Sequence, residues 1–235
     1  MKNIVYTIAL IVSFSSFGQT ADEYYNSGYK KAIEKDYYGA ISDFNKVIEL
    51  SPNRANAYIN RGLVKDKLKD YNGAIADYSK AIEIKPGDAV AYDARGFSKA
   101  NLEDHSGAIR DYSKSIHLKA DADVYYNRGI SKYYTNQLSG AISDYSKAIQ
   151  LNPNNAKTYL NRGLAKDDLK DYNGAISDYN KAIEIDPNYA DAYNNRSIVK
   201  ELLGDLNGAC ADTKKAISLG SNSSENRQWF SQNCN

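Results

Sequence analysis

Few residues of this chain could support catalysis or hold a metal ion. Its 235 residues include two histidines and two cysteines, too few for a multi-ligand metal cluster. His105 and His117 have no nucleophile at motif spacing, and the sequence contains no glycine-rich phosphate loop or HExxH motif. Asp167 and Asp168 are adjacent on a predicted helix, so their side chains diverge by about 100° and cannot face each other as an acid–base pair. The sequence predicts no enzyme activity, no metal site and no cofactor.

Charge is almost balanced, with 30 lysines and arginines against 29 aspartates and glutamates. A chain this neutral has no overall electrostatic attraction to nucleic acid or to an anionic membrane. Nucleic acids are therefore not expected among its partners.

Residues 1–18 have the three-part order of a cleavable signal peptide. Lys2 supplies a positive charge, and the apolar run from Ile4 to Phe14 is much shorter than the ~20 residues that cross a bilayer. Ser16 and Gly18 are small residues at −3 and −1 of a cut before Gln19. A buried N-terminal helix is the alternative. We expect export to a bacterial periplasm or to the medium, with no membrane insertion after cleavage.

The two cysteines, Cys210 and Cys234, lie near the C-terminus. In an exported protein such a pair predicts a disulfide, which would close a loop of about 24 residues and contribute roughly 3 kcal/mol in the chain-entropy model. Two free thiols with a redox role are the alternative, although no C-x-x-C motif is present.

A period of about 34 residues runs through most of the chain. Tyrosine holds position 4 of every unit, glycine holds position 8 of the first five, and all four prolines share one position. Apolar residues recur at helical spacing on both sides of a short turn, so each unit predicts two helices. Neither helix can bury its apolar face alone, and the units must stack. The units are 21–54, 55–88, 89–121, 122–155, 156–189 and 190–223, followed by a predicted capping segment, 224–235.

These motifs, with Asn-Arg-Gly in the first helix and Gly-Ala-Ile-Ser-Asp-Tyr in the second, resemble the tetratricopeptide repeat family. Here tyrosine replaces the family's tryptophan, arginine its leucine and lysine its first tyrosine. The resemblance implies an all-α fold: a right-handed α-solenoid of antiparallel helix pairs with a C-terminal capping helix. Caps tied by two cysteines occur in exported repeat proteins of this kind, in agreement with a Cys210–Cys234 bridge.

Arginine stands at position 7 of repeats two to six, and aspartate stands at position 23 of all six. The first repeat has no predecessor and carries Ser27 in place of the arginine. We therefore predict that each arginine pairs with the aspartate of the preceding repeat, for example Arg61 with Asp43 and Arg162 with Asp144. Solvation of both groups is the alternative.

In the family, positions 2, 5, 6, 9, 12 and 13 of the first helices line a concave groove. Position 6 is asparagine in five repeats here, which resembles the asparagine ladder with which a family member binds the backbone of an extended peptide. An amide offers a donor and an acceptor, as a peptide group requires. Solvent-facing amides are the alternative. The predicted groove residues are Asn26, Asn60, Asn127, Asn161, Asn195, Asp93, Tyr126, Tyr133 and Tyr134.

The resemblance implies a non-catalytic scaffold that binds a segment of a partner protein in this groove, with self-association also possible. Binding of an envelope glycan is the alternative, because the groove tyrosines could stack on sugar rings. Loss of binding in both tyrosine and asparagine variants would indicate a peptide, and loss in tyrosine variants alone would indicate a glycan.

Overall fold

The computed structural model describes residues 19–221 and 224–234, and the predicted signal segment 1–18 lies outside them. The described residues form helices and connecting turns without strands. The helices are α1 (Ala21–Ile33), α2 (Tyr37–Leu50), α3 (Ala55–Lys67), α4 (Tyr71–Ile84), α5 (Ala89–Asn101), α6 (His105–Leu118), α7 (Ala122–Tyr134), α8 (Leu138–Leu151), α9 (Ala156–Asp168), α10 (Tyr172–Ile185), α11 (Ala190–Leu202), α12 (Leu206–Ser218) and α13 (Ser224–Asn233).

The helices pack as six consecutive pairs, from α1–α2 to α11–α12, and each pair contacts the next. First helices of consecutive pairs also contact each other, whereas within the described residues the second helices of consecutive pairs do not. The array therefore curves with the first helices on its inner side, which we call the concave face. This arrangement is the all-α solenoid predicted from the repeat period. In the described part of the chain no helix has the length and apolarity needed to cross a membrane.

In five of the six pairs the turn is built from a residue with positive φ followed by an aspartate cap. In the fourth pair Asn136 has the positive φ, and Gln137 follows it without a side-chain cap hydrogen bond. In the second pair Lys69 has φ 61°, and the Asp70 carboxylate accepts a 2.9 Å hydrogen bond from the Gly73 backbone N–H. Side-chain oxygens of this type satisfy the unpaired N–H groups of a first helical turn. The turn fixes where the second helix starts and so which of its residues face the first.

In the first five pairs an aromatic ring packs on a glycine at the centre of the pair. At Gly129 an added Cβ would lie 2.6 Å from Cε1 of Tyr145, a side chain that is 1% exposed. Position 8 must therefore be glycine wherever position 24 is tyrosine. The sixth pair changes both positions together, because Ser197 and Thr213 meet there through a 2.6 Å hydrogen bond between their hydroxyl groups.

The predicted arginine–aspartate pairing between repeats is wrong. Each arginine holds the aspartate of its own repeat, through Nε–Oδ2 hydrogen bonds of 2.8–2.9 Å. Arg61 pairs with Asp77 instead of Asp43, and Arg162 pairs with Asp178 instead of Asp144. Position 23 faces position 7 across the helix pair, which brings the two side chains together within one repeat.

The arginine does connect consecutive repeats, but through another of its nitrogens. Its Nη1 donates to position 25 of the preceding repeat, as from Arg128 to Ser113 Oγ at 3.0 Å. Its guanidinium also lies over the tyrosine at position 4 of its own repeat, 5.4–5.7 Å from the ring centroid. In repeats two to six the lysine at position 11 is a second cation on the buried aspartate, at 2.7–2.8 Å. In repeat one Lys31 is the cation that contacts Asp43, at 2.7 Å. The recurrence of this lysine in the sequence does not by itself predict its partner.

The C-terminal helix α13 packs on α12 and is joined to it by the Cys210–Cys234 disulfide, as predicted. The Cα atoms of the two cysteines are 5.5 Å apart. The indole N–H of Trp229 donates a 2.7 Å hydrogen bond to the Glu201 carboxylate on α11. Helix α13 is therefore attached to both helices of the last pair.

Candidate functional site

The concave face carries one apolar side chain from every first helix at position 9. Four of these side chains are 43–55% exposed, and the other two are partly buried. Position 9 is one of the groove-lining positions of the family, but the predicted groove residues stand at positions 5, 6, 12 and 13, although the apolar character of position 9 recurs with the repeat period. The stripe consists of Tyr29, Leu63, Phe97, Ile130, Leu164 and Ile198.

Three cavities of about 190–200 Å³ open along this stripe, each between consecutive first helices. They lie between repeats one and two, three and four, and four and five. Each is lined by the position 9 residues of both repeats and by the position 6 asparagine of the later one, namely Asn60, Asn127 and Asn161. The repeat geometry thus places an amide beside an apolar depression three times along one face.

Two of the predicted ladder asparagines hydrogen-bond within the protein. The Nδ2 of Asn60 donates to Tyr25 Oη at 2.8 Å, and that of Asn161 donates to Tyr126 Oη at 2.9 Å. In both cases the acceptor is the position 5 tyrosine of the preceding repeat, which fixes the orientation of the amide. The Oδ1 acceptor and the second N–H take no part in these bonds. Of the other ladder residues, Asn26 is exposed, and Asn127 and Asn195 are half-buried.

Tyr133 and Tyr134 both line the cavity between repeats four and five. Tyr134 is 68% exposed, and its ring stacks on His105 with centroids 4.7 Å apart. Burial, together with a hydrogen bond to Asp168, raises the pKa of the Tyr133 phenol to about 12. Tyr126, by contrast, is half-buried with its ring 6.0 Å from that of Tyr145. The structure therefore brings Tyr133 and Tyr134 to the surface of one cavity, whereas Tyr126 contributes more to packing.

The predicted groove residue Asp93 lies in a smaller cavity of about 90 Å³ between repeats three and four. Its Oδ1 is buried and has no hydrogen-bond partner in the structure described. Burial raises the pKa of this carboxyl to about 6, and the nearby charges of Asp121 and Asp123 act in the same direction. Lys119 also lines the cavity. Asp93 is thus a partly desolvated acid at a junction between repeats.

The buried ionisable groups of the described residues form ion pairs that join the two helices of a repeat. Within residues 19–221 and 224–234, no three His, Cys, Asp or Glu side chains come together in an arrangement that would hold a metal ion. The position 23 carboxylates of repeats two to six are 3–4% exposed and paired with two cations each, whereas Asp43 of repeat one is paired with Lys31 alone. Polar groups fixed in this way specify the packing of a helix pair.

Family models for the tetratricopeptide repeat match residues 55–88, 156–189 and 178–211, and a related repeat model matches residues 131–166. The first two matches each cover one helix pair, α3–α4 and α9–α10. Comparison of the sequence with curated proteins gives no significant match.

Several solved structures share the fold. YrrB, described as a tetratricopeptide repeat protein with an unusual peptide-binding site, is 23% identical with a TM-score of 0.71, over 80% of this chain and 97% of YrrB. MamA is 26% identical with a TM-score of 0.68, over 73% of this chain and 94% of MamA. The PilF protein of Pseudomonas aeruginosa is 16% identical with a TM-score of 0.75, over 90% of this chain and 97% of PilF.

Proposed function

Because this chain is a tetratricopeptide repeat protein with about six repeats, and such repeats are typically non-catalytic modules for protein interaction, we propose that it binds a segment of a partner protein along its concave face. The observation that carries the proposal is the series of three cavities, each with an apolar wall and a position 6 asparagine. YrrB, which has the same fold, is described as having a peptide-binding site.

The physical basis is the match between this face and a peptide. Apolar side chains of a bound segment would pass from water into the cavities. This transfer stabilises the complex by about 25 cal/mol per Å² of apolar surface that is buried. The amides beside them would hydrogen-bond the peptide backbone without regard to sequence. Aromatic anchors such as Tyr134 are typical of the residues that dominate binding energy.

We place this activity outside the cytosol. Residues 1–18 have the composition of a signal peptide, and the Cys210–Cys234 disulfide suits an oxidising compartment. The partner would then be an envelope or secreted protein.

The test is selection from a phage-displayed random peptide library on the chain from Gln19 onwards, which contains every described helix. We expect enriched peptides to bind at least tenfold more weakly to Asn127→Ala and to Tyr134→Ala. Tyr38→Ala is the matched control, because Tyr38 is 78% exposed on the second helix α2. Equal losses in all three variants would contradict binding on the concave face.

A second arm distinguishes the glycan alternative. A chitin hexasaccharide serves as the probe, titrated against the same variants. Binding of the sugar that is lost in Tyr134→Ala and retained in Asn127→Ala, with no peptide enriched, would replace the proposed function by glycan binding.

A further inference from the structure

Two of the first helices carry a tyrosine at position 5, and in both cases the position 6 asparagine of the next repeat bonds to it. The Nδ2 of Asn60 donates to Tyr25 Oη at 2.8 Å, and the Nδ2 of Asn161 donates to Tyr126 Oη at 2.9 Å. We call each of these an Asn–Tyr pair. One pair joins repeats one and two, and the other joins repeats four and five. The same bond is therefore made at both junctions where the sequence offers both residues.

Packing fixes the ring of each tyrosine and so the place of its hydroxyl group. The Tyr25 ring lies 5.9 Å from that of Phe44, at an interplanar angle of 65°, and the Arg54 guanidinium lies 4.2 Å from the Tyr25 ring centroid. The Tyr126 ring lies 6.0 Å from that of Tyr145. An asparagine that donates to such a hydroxyl group is held in one of its two amide orientations. Its Nδ2 faces the tyrosine, which leaves Oδ1 for another donor.

Each pair keeps one acceptor and one donor unused. Within the described residues, Oδ1 of Asn60 and Oδ1 of Asn161 accept no hydrogen bond, and neither is one of the buried polar atoms without a partner. Both oxygens are therefore accessible from outside. Because the tyrosine Oη accepts in both bonds, its own proton remains available for donation. Burial raises the pKa of the Tyr126 phenol above its ordinary value, so this phenol keeps its proton at neutral pH.

An acceptor beside a donor is the complement of the N–H and C=O groups of a peptide backbone. In an extended chain the N–H and C=O of one residue point to the same side, which lets antiparallel strands exchange two hydrogen bonds. In a helix the same groups are bonded within the segment. Asn60 and Asn161 line two of the concave cavities, beside Leu63 and Leu164 respectively. A backbone bound by a pair would therefore place the side chains of the segment beside the apolar walls.

The other junctions of the described array lack a pair because position 5 is different there. It is Ile59, Asp93 and Leu160 in repeats two, three and five. Isoleucine and leucine have no hydroxyl group, and Ile59 is followed by Ala94, at the position where the other repeats have asparagine. The Asp93 carboxylate forms no hydrogen bond with Asn127 in the structure described, and its Oδ1 is buried. Recognition by pairs is thus confined to two junctions.

We infer that the two Asn–Tyr pairs bind the backbone of an extended partner segment at two separate residues, with the asparagine Oδ1 accepting the N–H and the tyrosine hydroxyl donating to the C=O. The inference rests on the proposed function and adds a conformational requirement to it. The segment is extended at these two residues, not helical, and neither residue is proline, which has no N–H. Tyr25 and Tyr126 both orient the amides and bind the segment.

Backbone substitution in the ligand tests the inference by double-mutant cycles. The strongest binder from the random library above is synthesised as a series in which one backbone N–H at a time is replaced by an ester oxygen. Affinities of the series are measured for the wild type, Asn60→Ala, Asn161→Ala and Tyr126→Phe. Tyr58→Phe is the matched control, because the Tyr58 hydroxyl donates to the Pro52 carbonyl at 3.1 Å and belongs to neither pair.

We expect two peptide positions at which the ester weakens binding to the wild type by about tenfold, as for the loss of one hydrogen bond. At one position the ester should cause no further loss in Asn161→Ala, and at the other no further loss in Asn60→Ala. Tyr126→Phe retains the ring that packs on Tyr145, yet it should reduce the effect of the ester at the Asn161 position alone. Tyr58→Phe should bind every member of the series as the wild type does.

Two results would overturn the inference and leave the proposed function intact. One is a series in which every ester loss multiplies with the losses in Asn60→Ala and in Asn161→Ala, since independent effects show no contact. The other is a Tyr126→Phe variant that binds every member of the series as Tyr58→Phe does. Enrichment of no peptide at all would contradict the proposed function itself.

Discussion

The hydroxyl group of Ser27 donates a 2.6 Å hydrogen bond to the carboxylate of Asp43, at the position where every later repeat has an arginine. The arginines reach back to the preceding repeat through Nη1, and the first repeat has no described helix pair before it. Serine satisfies the aspartate without a guanidinium group whose Nη1 would have no preceding helix pair to contact among the described residues. Lys31 supplies the positive charge there, 2.7 Å from Asp43.

Replacing the arginine should cost more than replacing the serine. Arg128→Ala would leave Asp144 with Lys132 as its single cation and would remove the contact with Ser113, so we expect a loss of about 3 kcal/mol in the free energy of unfolding. Ser27→Ala removes one hydrogen bond to a charged group and should cost about 1.5 kcal/mol. Urea unfolding followed by circular dichroism measures both. Equal midpoints for the two variants would contradict a special role for the guanidinium group.

A methyl group at position 8 should destabilise the array. In Gly129→Ala the new Cβ would lie 2.6 Å from the Tyr145 ring, and the buried ring has little room to move. We expect a cost of about 1–3 kcal/mol, as for overpacked cores. Gly87→Ala is the control, because nothing lies within 4 Å of its Cβ position. Thermal unfolding of both variants checks the expectation, and a Gly129→Ala variant as stable as the control would refute it.

The carboxyl of Asp93 should make stability depend on pH. Burial raises its pKa in the folded protein to about 6, above the value of about 3.9 for an unfolded chain. Between these values the folded state retains a proton that the unfolded state releases, so stability falls as pH rises from about 4 to about 6. Above that range the penalty is constant.

Asp93→Asn removes this penalty. We expect the variant to be more stable than the wild type at pH 7.5, by roughly 2 kcal/mol, and the gap to close toward pH 4. Urea midpoints at the two pH values provide the measurement. A gap that is the same at both would show that the carboxyl of Asp93 is not the group responsible.

Reduction of the Cys210–Cys234 disulfide should loosen the end of the array and little else. The closed loop spans 24 residues in sequence, and opening it should cost roughly 3 kcal/mol in the chain-entropy model. Each repeat contacts its neighbours alone, so we expect faster amide hydrogen exchange in α12 and α13 and unchanged exchange in α3 to α8. Exchange that accelerates along the whole chain would contradict this local effect.

The fold could be predicted because the repeat period marks both helices and the turn between them. The close contact between Gly129 and Tyr145 follows from the same pattern, since a residue without a side chain recurs opposite a large ring. The disulfide could be predicted from the cysteine count and the predicted export.

The arginine partner could not be predicted from the period. The aspartates of the same repeat and of the preceding one recur at equal intervals, so Asp77 and Asp43 are equally consistent with the spacing of Arg61. The absence of an arginine from the first repeat indicated a link to the preceding repeat, and that link exists, but through a different residue. Only the packing of the helix pair distinguishes the two aspartates.

The different surroundings of Asp66 and Asp167 could not be predicted from the sequence either. Asp66 accepts hydrogen bonds from Tyr78 and Ser98, and within the described residues the carboxylate of Asp167 accepts none. Asp66 and Asp167 share a repeat position, and the donor that separates them comes from the neighbouring repeat. Adjacent positions on one helix exclude Asp167 and Asp168 as a catalytic acid pair, but they do not reveal whether either carboxylate has a partner. Comparing position 10 of the following repeat, Ser98 against Val199, is the signal that would have revealed the difference.

Contacts between repeats that are not adjacent are absent from the described array. A bend at one junction therefore requires no rearrangement at another, and the array deforms as an elastic rod with its compliance spread along its length. Small rotations at successive junctions add, which changes the separation of the first and last cavities more than that of neighbouring ones. Short segments would therefore meet a stiff surface, and long segments a surface that stretches to match them.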